Sequence, residues 1–140
     1  MNVPDLPSLH RETVRAEWVD YNGHMNVAFY VLIFDQASDA LLAEFGIDDA
    51  SRERTGSSVF VAEAHITYDN EVMEGEQVRI VPQILDHDEK RLHLFQYMIR
   101  ARDGVLAATT ETMVLHVNLN ERRVCPWPDH AKQRLDALAA

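Results

Sequence analysis

From Val27 to Phe45 the chain runs without a glycine or a proline, and its first half, Val27-Ala28-Phe29-Tyr30-Val31-Leu32-Ile33-Phe34, is apolar at every position. Gly46 closes the run, the usual punctuation after a helix. The segment predicts a helix of about five turns at 3.6 residues per turn. A helix lying on a surface shows one apolar stripe and one polar face. This one has no polar face in its first half, so the remainder of the fold is expected to surround it. Asn22 and Asn26, just ahead of it, both suit an N-cap.

The partners for that helix are strand-like. Ser58 to Tyr68, Gln77 to Leu85, Arg91 to Arg102 and Val105 to Val117 carry strand patterns, broken by Asp69-Asn70 through Glu74-Gly75, by Asp86 to Lys90, and by the hairpin signal Asp103-Gly104. Ahead of the helix, Val14, Ala16 and Trp18 alternate with Thr13, Arg15 and Glu17. That predicts a strand over Glu12 to Trp18 with one buried face. Asp48 to Gly56 is polar and reads as a surface connection, and Ala131 to Leu138, behind Cys125-Pro126-Trp127-Pro128, as one or two helical turns. An antiparallel five-stranded sheet curled around one long central helix, an α+β arrangement, meets the helix's need for cover. A chain of 140 residues is expected to form one such unit over residues 1–140, with a short C-terminal tail.

Charge narrows the partners. Thirteen Lys and Arg against 23 Asp and Glu leave a formal charge of −10, unsuited to a nucleic-acid backbone or an anionic membrane. No apolar run approaches the length of a bilayer span, Met1-Asn2-Val3-Pro4-Asp5 lacks the pattern of a secretory signal, and Cys125 is the single cysteine. A cytoplasmic protein is expected. His65, His93 and His116 lie on separate strand patterns without paired-ligand spacing, so no metal site is expected.

The chemistry concentrates at the mouth of the apolar helix, in Asp20-Tyr21-Asn22-Gly23-His24-Met25-Asn26-Val27. Read without relatives, Asp20 and Gly23 make a turn before a helix. The stretch "DYNGHMNVAFY" resembles the Asp-x-x-Gly-His-x-Asn motif of hotdog-fold acyl-CoA thioesterases of the 4-hydroxybenzoyl-CoA thioesterase type, and the strand-helix-four-strand order resembles that fold from Val14 to Val117. Together with "DEKRLHLF" and "LAATTETMVLHV", the segment "WVDYNGHMNVAFYVLIFDQASD" resembles the betainyl-CoA thioesterases of carnitine breakdown. Asn-Asn versions of the motif carry a second asparagine where this chain has Val27.

The resemblance implies hydrolysis of a small acyl-CoA, most closely betainyl-CoA in carnitine degradation, by a homodimer or homotetramer with active sites at the subunit boundary. It implies that Asp20 is nucleophile or general base and that backbone N–H groups near Asn26 and Val27 polarise the thioester carbonyl. Physical chemistry agrees: thioester hydrolysis needs an attacking or water-activating group and donors for the oxyanion, and the first turn of a helix offers free N–H groups at the positive end of its dipole. Gly23 allows close backbone approach, while His24 and Asn26 are expected to shape the loop and to contact the substrate. No cofactor is expected beyond the CoA of the substrate.

Around this centre, Trp18, Tyr21, Tyr30 and Phe34 are aromatic candidates to pack about a quaternary ammonium. Asp35, four residues from Asp39 on one helix face, is a candidate substrate contact. Glu63 and His65 share a strand face opposite Phe60, Ala62, Ala64, Ile66 and Tyr68, and either line a second part of the site or face water. Arg52, Arg54, Lys90 and Arg91 are candidates for the CoA phosphates. The other readings are a hotdog thioesterase for another short or aromatic acyl group, a non-catalytic acyl-CoA-binding protein, and a dehydratase of the same fold; the last needs a catalytic histidine, which a motif centred on Asp20 opposes.

Overall fold

The computed structural model describes residues 2–139. In chain order its elements are β1 (His10–Thr13), a 3-10 turn (Ala16–Trp18), α1 (Val27–Glu44), α2 (Asp49–Thr55), β2 (Ser57–Tyr68), β3 (Gln77–His87), β4 (Arg91–Arg100), β5 (Leu106–Asn118), β6 (Arg123–Val124) and α3 (Asp129–Ala139). The sheet is antiparallel, in the order β1-β3-β4-β5-β2. The two-residue β6 pairs with the end of β5 and adds a sixth strand to the expected five.

The long helix begins and ends where its sequence places it. Asn26 caps it, its side chain accepting from the Ala28 amide at 3.0 Å. Tyr30, Ile33, Phe34, Ala37, Leu41 and Leu42 are buried at spacings that put them on one face. They belong to two adjoining cores, one with Val14, Val72, Val78, Ile80 and Met98, the other with Leu92, Leu94, Val114 and Trp127.

Three expectations need correction. The helix is not surrounded within one chain: Val27, Val31 and Leu32 are exposed, because the sheet covers one side and nothing among the described residues folds over the other. Glu12 to Trp18 is not one strand. Pairing stops at Thr13, the Val14 amide turns to the Glu76 carbonyl at 2.9 Å, and Trp18 reaches the core from a 3-10 turn while Ala16 is exposed. Asp48 to Gly56 contains a helix, closed at its start by a capping box in which Asp48 accepts from the Ser51 amide and Ser51 Oγ from the Asp48 amide, each at 2.9 Å.

A fourth correction concerns β2. Its register with β5 shifts between Val61 and Glu63, a bulge that lets an extra residue into one strand. Phe60 therefore pairs with Leu115 and shares a face with Glu63, His65 and Thr67, while Val61, Ala64, Ile66 and Tyr68 share the face of the buried Val114 and Thr110. Phe60 drops out of the set expected to cover the helix, and Val61 takes its place.

Candidate active site

The motif residues form a small hairpin at the head of α1. Val19 bridges Met25, the Asp20 amide donates to the His24 carbonyl at 3.0 Å, and the Gly23 amide donates back to the Asp20 carbonyl at 2.9 Å. The turn requires φ +82° at Gly23, a left-handed conformation that costs other residues energy. The Asn26 amide donates to the Trp18 carbonyl at 2.9 Å. These bonds present Asp20, which is exposed, beside the first turn of the helix. One Asp20 carboxylate oxygen accepts from the Asn22 amide at 2.8 Å, which steadies the side chain and leaves lone pairs free.

The first-turn amides are not equivalent. Asn26 N–H is spent on Trp18, Ala28 N–H on the Asn26 side chain, and Phe29 N–H on the Asn26 carbonyl. Val27 N–H makes no hydrogen bond among the described residues. Of the two amides expected to polarise a carbonyl, the one of Val27 is the donor left over, and the helix dipole adds to it.

A second segment buttresses the hairpin. The Met25 amide donates to the Val72 carbonyl at 2.8 Å and His24 bridges Met73. His24 Nε2 stands 3.0 Å from a carboxylate oxygen of Glu71. Glu71 carries no motif signal and was absent from the residues the sequence singled out; the only pointer to it is its place in the polar break after Tyr68.

The aromatic candidates divide by burial. Trp18, Tyr30 and Phe34 are core residues. Trp18 stacks on Phe29 with ring centroids 5.6 Å apart and already holds the Arg15 guanidinium 4.9 Å from its ring. Tyr30 meets Tyr68 edge-on at 5.2 Å, and burial, with the neighbouring Glu71 and Tyr68, pushes its hydroxyl pKa up. Tyr21 is 97% exposed and Tyr68 48%, so these two keep open ring surface.

The other candidates lie apart from the hairpin. Asp35 sits on the open face of α1, about 12 Å along the axis from Val27 at 1.5 Å per residue, in a groove with Ser38, Asp39, Phe60 and Val61. Glu63 and His65 line a different depression with His93 and Glu111, whose side chains meet at 2.7 Å. Among the cations, Arg52 is paired with Asp49 and Arg91 with Asp88. No group of three or more His, Cys, Asp or Glu among the described residues is arranged to hold a metal ion, and no helix is long and apolar enough to cross a membrane.

Comparison with known proteins bears on the same architecture. The betainyl-CoA thioesterase of Pseudomonas aeruginosa is 43% identical over 126 residues, 90% of this chain and 79% of that protein. An L-carnitine dehydrogenase/betainyl-CoA thioesterase of Rhizobium meliloti is 39% identical over 90% of this chain, which spans 25% of that longer protein. Among solved structures, a Staphylococcus aureus protein in complex with CoA superposes with a TM-score of 0.90 at 31% identity, covering 99% of this chain and 88% of that one. A candidate thioesterase of Pseudomonas putida KT2440 superposes at 0.84 and 40% identity over 99% of this chain and 87% of that one. The curled antiparallel sheet on a long helix is the hotdog fold. The family model for the thioesterase-like superfamily matches residues 14–135, from just after β1 into α3, and the chain belongs to that family.

Proposed function

We propose that the protein is an acyl-CoA thioesterase that hydrolyses betainyl-CoA to betaine and CoA in carnitine degradation. The observation that carries the reading is a hairpin that presents the exposed Asp20 carboxylate just ahead of α1, whose first amide, that of Val27, is spare. Asp20 either attacks the thioester carbonyl, expelling the CoA thiolate and leaving a mixed anhydride for water to cleave, or takes a proton from the attacking water. Either way a negative oxygen develops on the former carbonyl, for which Val27 N–H is the assigned donor, and such donors are worth most in the transition state. Hydrolysis calls for neither redox chemistry nor an electron sink, so the reading includes no metal or organic cofactor.

The reading includes a homodimer or homotetramer. Val27, Val31 and Leu32 on α1 are exposed, the outer edge of β2 is unpaired, and its Phe60 and Val61 are 46% and 53% exposed. A long apolar edge strand left open invites pairing with another chain, and a second copy covers the helix face that this chain leaves bare. It also places the open active site at the subunit boundary. The cytoplasm, where a lone thiol such as Cys125 stays reduced, is the compartment this reading assigns.

The test is release of free thiol from betainyl-CoA, acetyl-CoA and a benzoyl-CoA, with Asp20→Asn beside the native chain. Asp20-dependent release that is fastest from betainyl-CoA supports the reading. Activity on the others alone retains the thioesterase and discards the betainyl substrate. Calorimetric binding without release from any of them marks an acyl-CoA-binding protein.

A further inference from the structure

We propose that Glu71 and the open ring of Tyr68 form the part of the acyl site that selects an acyl group bearing a fixed positive charge. The inference rests on the thioesterase reading above and goes further by assigning the residues that read the acyl group. In betainyl-CoA the quaternary nitrogen is one methylene away from the carbonyl carbon, so whatever senses its charge must flank Asp20. Glu71 does so. Its carboxylate is 3.0 Å from His24 Nε2, and the His24 carbonyl accepts the Asp20 amide.

Glu71 is held in place by the backbone around it. The Asp69 and Asn70 amides both donate to the Ala107 carbonyl, at 2.9 and 3.0 Å. The Asn70 side chain donates to the Leu106 carbonyl at 2.8 Å, and Arg100 Nη1 to the carbonyl of Glu71 itself at 2.7 Å. Arg100 is the nearby charge that would oppose a cation, and its guanidinium is already bound twice by Asp103, at 3.0 and 2.8 Å. The result is a preorganised carboxylate without a strong cationic partner, which is the cheaper kind to bind through.

Tyr68 supplies the second element. A trimethylammonium is large and weakly hydrated, and it binds aromatic faces as well as carboxylates. Trp18 already has Arg15 over its ring, and Tyr30 and Phe34 are buried. Tyr68 is the half-open ring beside Tyr30, and Tyr30 links it to Glu71: its ring meets Tyr68 at 5.2 Å, and its hydroxyl feels the Glu71 charge.

The experiment compares betainyl-CoA with 3,3-dimethylbutyryl-CoA, which has the same shape with carbon in place of nitrogen and no charge. The readout is the ratio of kcat/KM for the two, which does not depend on how much of each variant is folded. Glu71→Gln is expected to lower that ratio about tenfold, and Tyr68→Leu a few-fold, at moderate salt. If Glu71 serves only to brace His24, both substrates slow by one factor and the ratio holds, which overturns the inference while sparing the thioesterase. A native protein that releases thiol from neither substrate overturns both.

Discussion

At the scale of single residues, the hairpin at the head of α1 makes separable demands. Asp20→Asn keeps the turn, because the amide oxygen can still accept from Asn22 N–H, but removes the charge. The expected outcome is a loss of kcat of about 100- to 10,000-fold with an unchanged melting temperature, checked by steady-state thiol release beside a thermal melt. Asn26→Ala does the opposite first: it strips the cap from the Ala28 amide and should cost about 1 kcal/mol of stability, read as a lower melting temperature. Activity should fall with it, since the cap sets the direction of the Val27 amide. A substitution at Gly23 is limited by backbone rather than by space. A Cβ there would meet only Met73 Cε at 3.5 Å, an ordinary contact, yet φ is +82°.

At the scale of elements, the turns carry the acid sensitivity. Hydrogen bonds from the Lys90 amide and the Arg91 side chain lower Asp88 to about 2, at the turn between β3 and β4. Hydrogen bonding from the Arg100 side chain does the same for Asp103, to about 2, beyond β4. Both folded-state values lie below those of the unfolded chain. Their stabilisation is therefore present above about pH 4 and is lost as pH falls toward 2. Melting temperatures measured across that window should fall less steeply for the Asp88→Asn/Asp103→Asn protein than for the native chain. A different element carries assembly. Val61→Asp on the open edge of β2 places a charge where a second strand would pair, and light scattering should then report a smaller particle at unchanged secondary structure.

At the scale of the whole molecule, the open face of α1 and the free edge of β2 make activity a property of the assembly in the proposed reading. Serial dilution should then lower the specific activity along one concentration-dependent curve, and the mass from sedimentation should fall over the same range. Buried titratable groups add a second global term. Burial lowers the pKa of His116, which packs against Trp127 with ring centroids 5.0 Å apart. The unfolded chain takes up that proton first as pH falls below histidine's usual range, so stability should decline from about pH 7 toward 5. Denaturant midpoints measured through that range check the sign.

Local patterns were legible where one element decides its own form. The glycine- and proline-free run, the Asn26 cap and Gly46 identify α1 because capping and helix continuity depend on neighbours in sequence. The Asp20 motif was legible too, since the hairpin closes through bonds among residues 18–26. Capping box notwithstanding, the helix after Asp48 reads in sequence as a surface connection, because its exposed face has no apolar period to count. The rest was settled by pairing between distant segments. The bulge that turns Phe60 outward exists only against β5, and Glu71 reaches His24 only because Val72 and Met73 dock on the hairpin. By itself the sequence determined a long apolar helix, a set of strands and a carboxylate at the helix mouth. Tertiary structure alone decided which face of that helix stays uncovered and which second carboxylate reaches His24, because both depend on where pairing between distant segments brings the chain back upon itself.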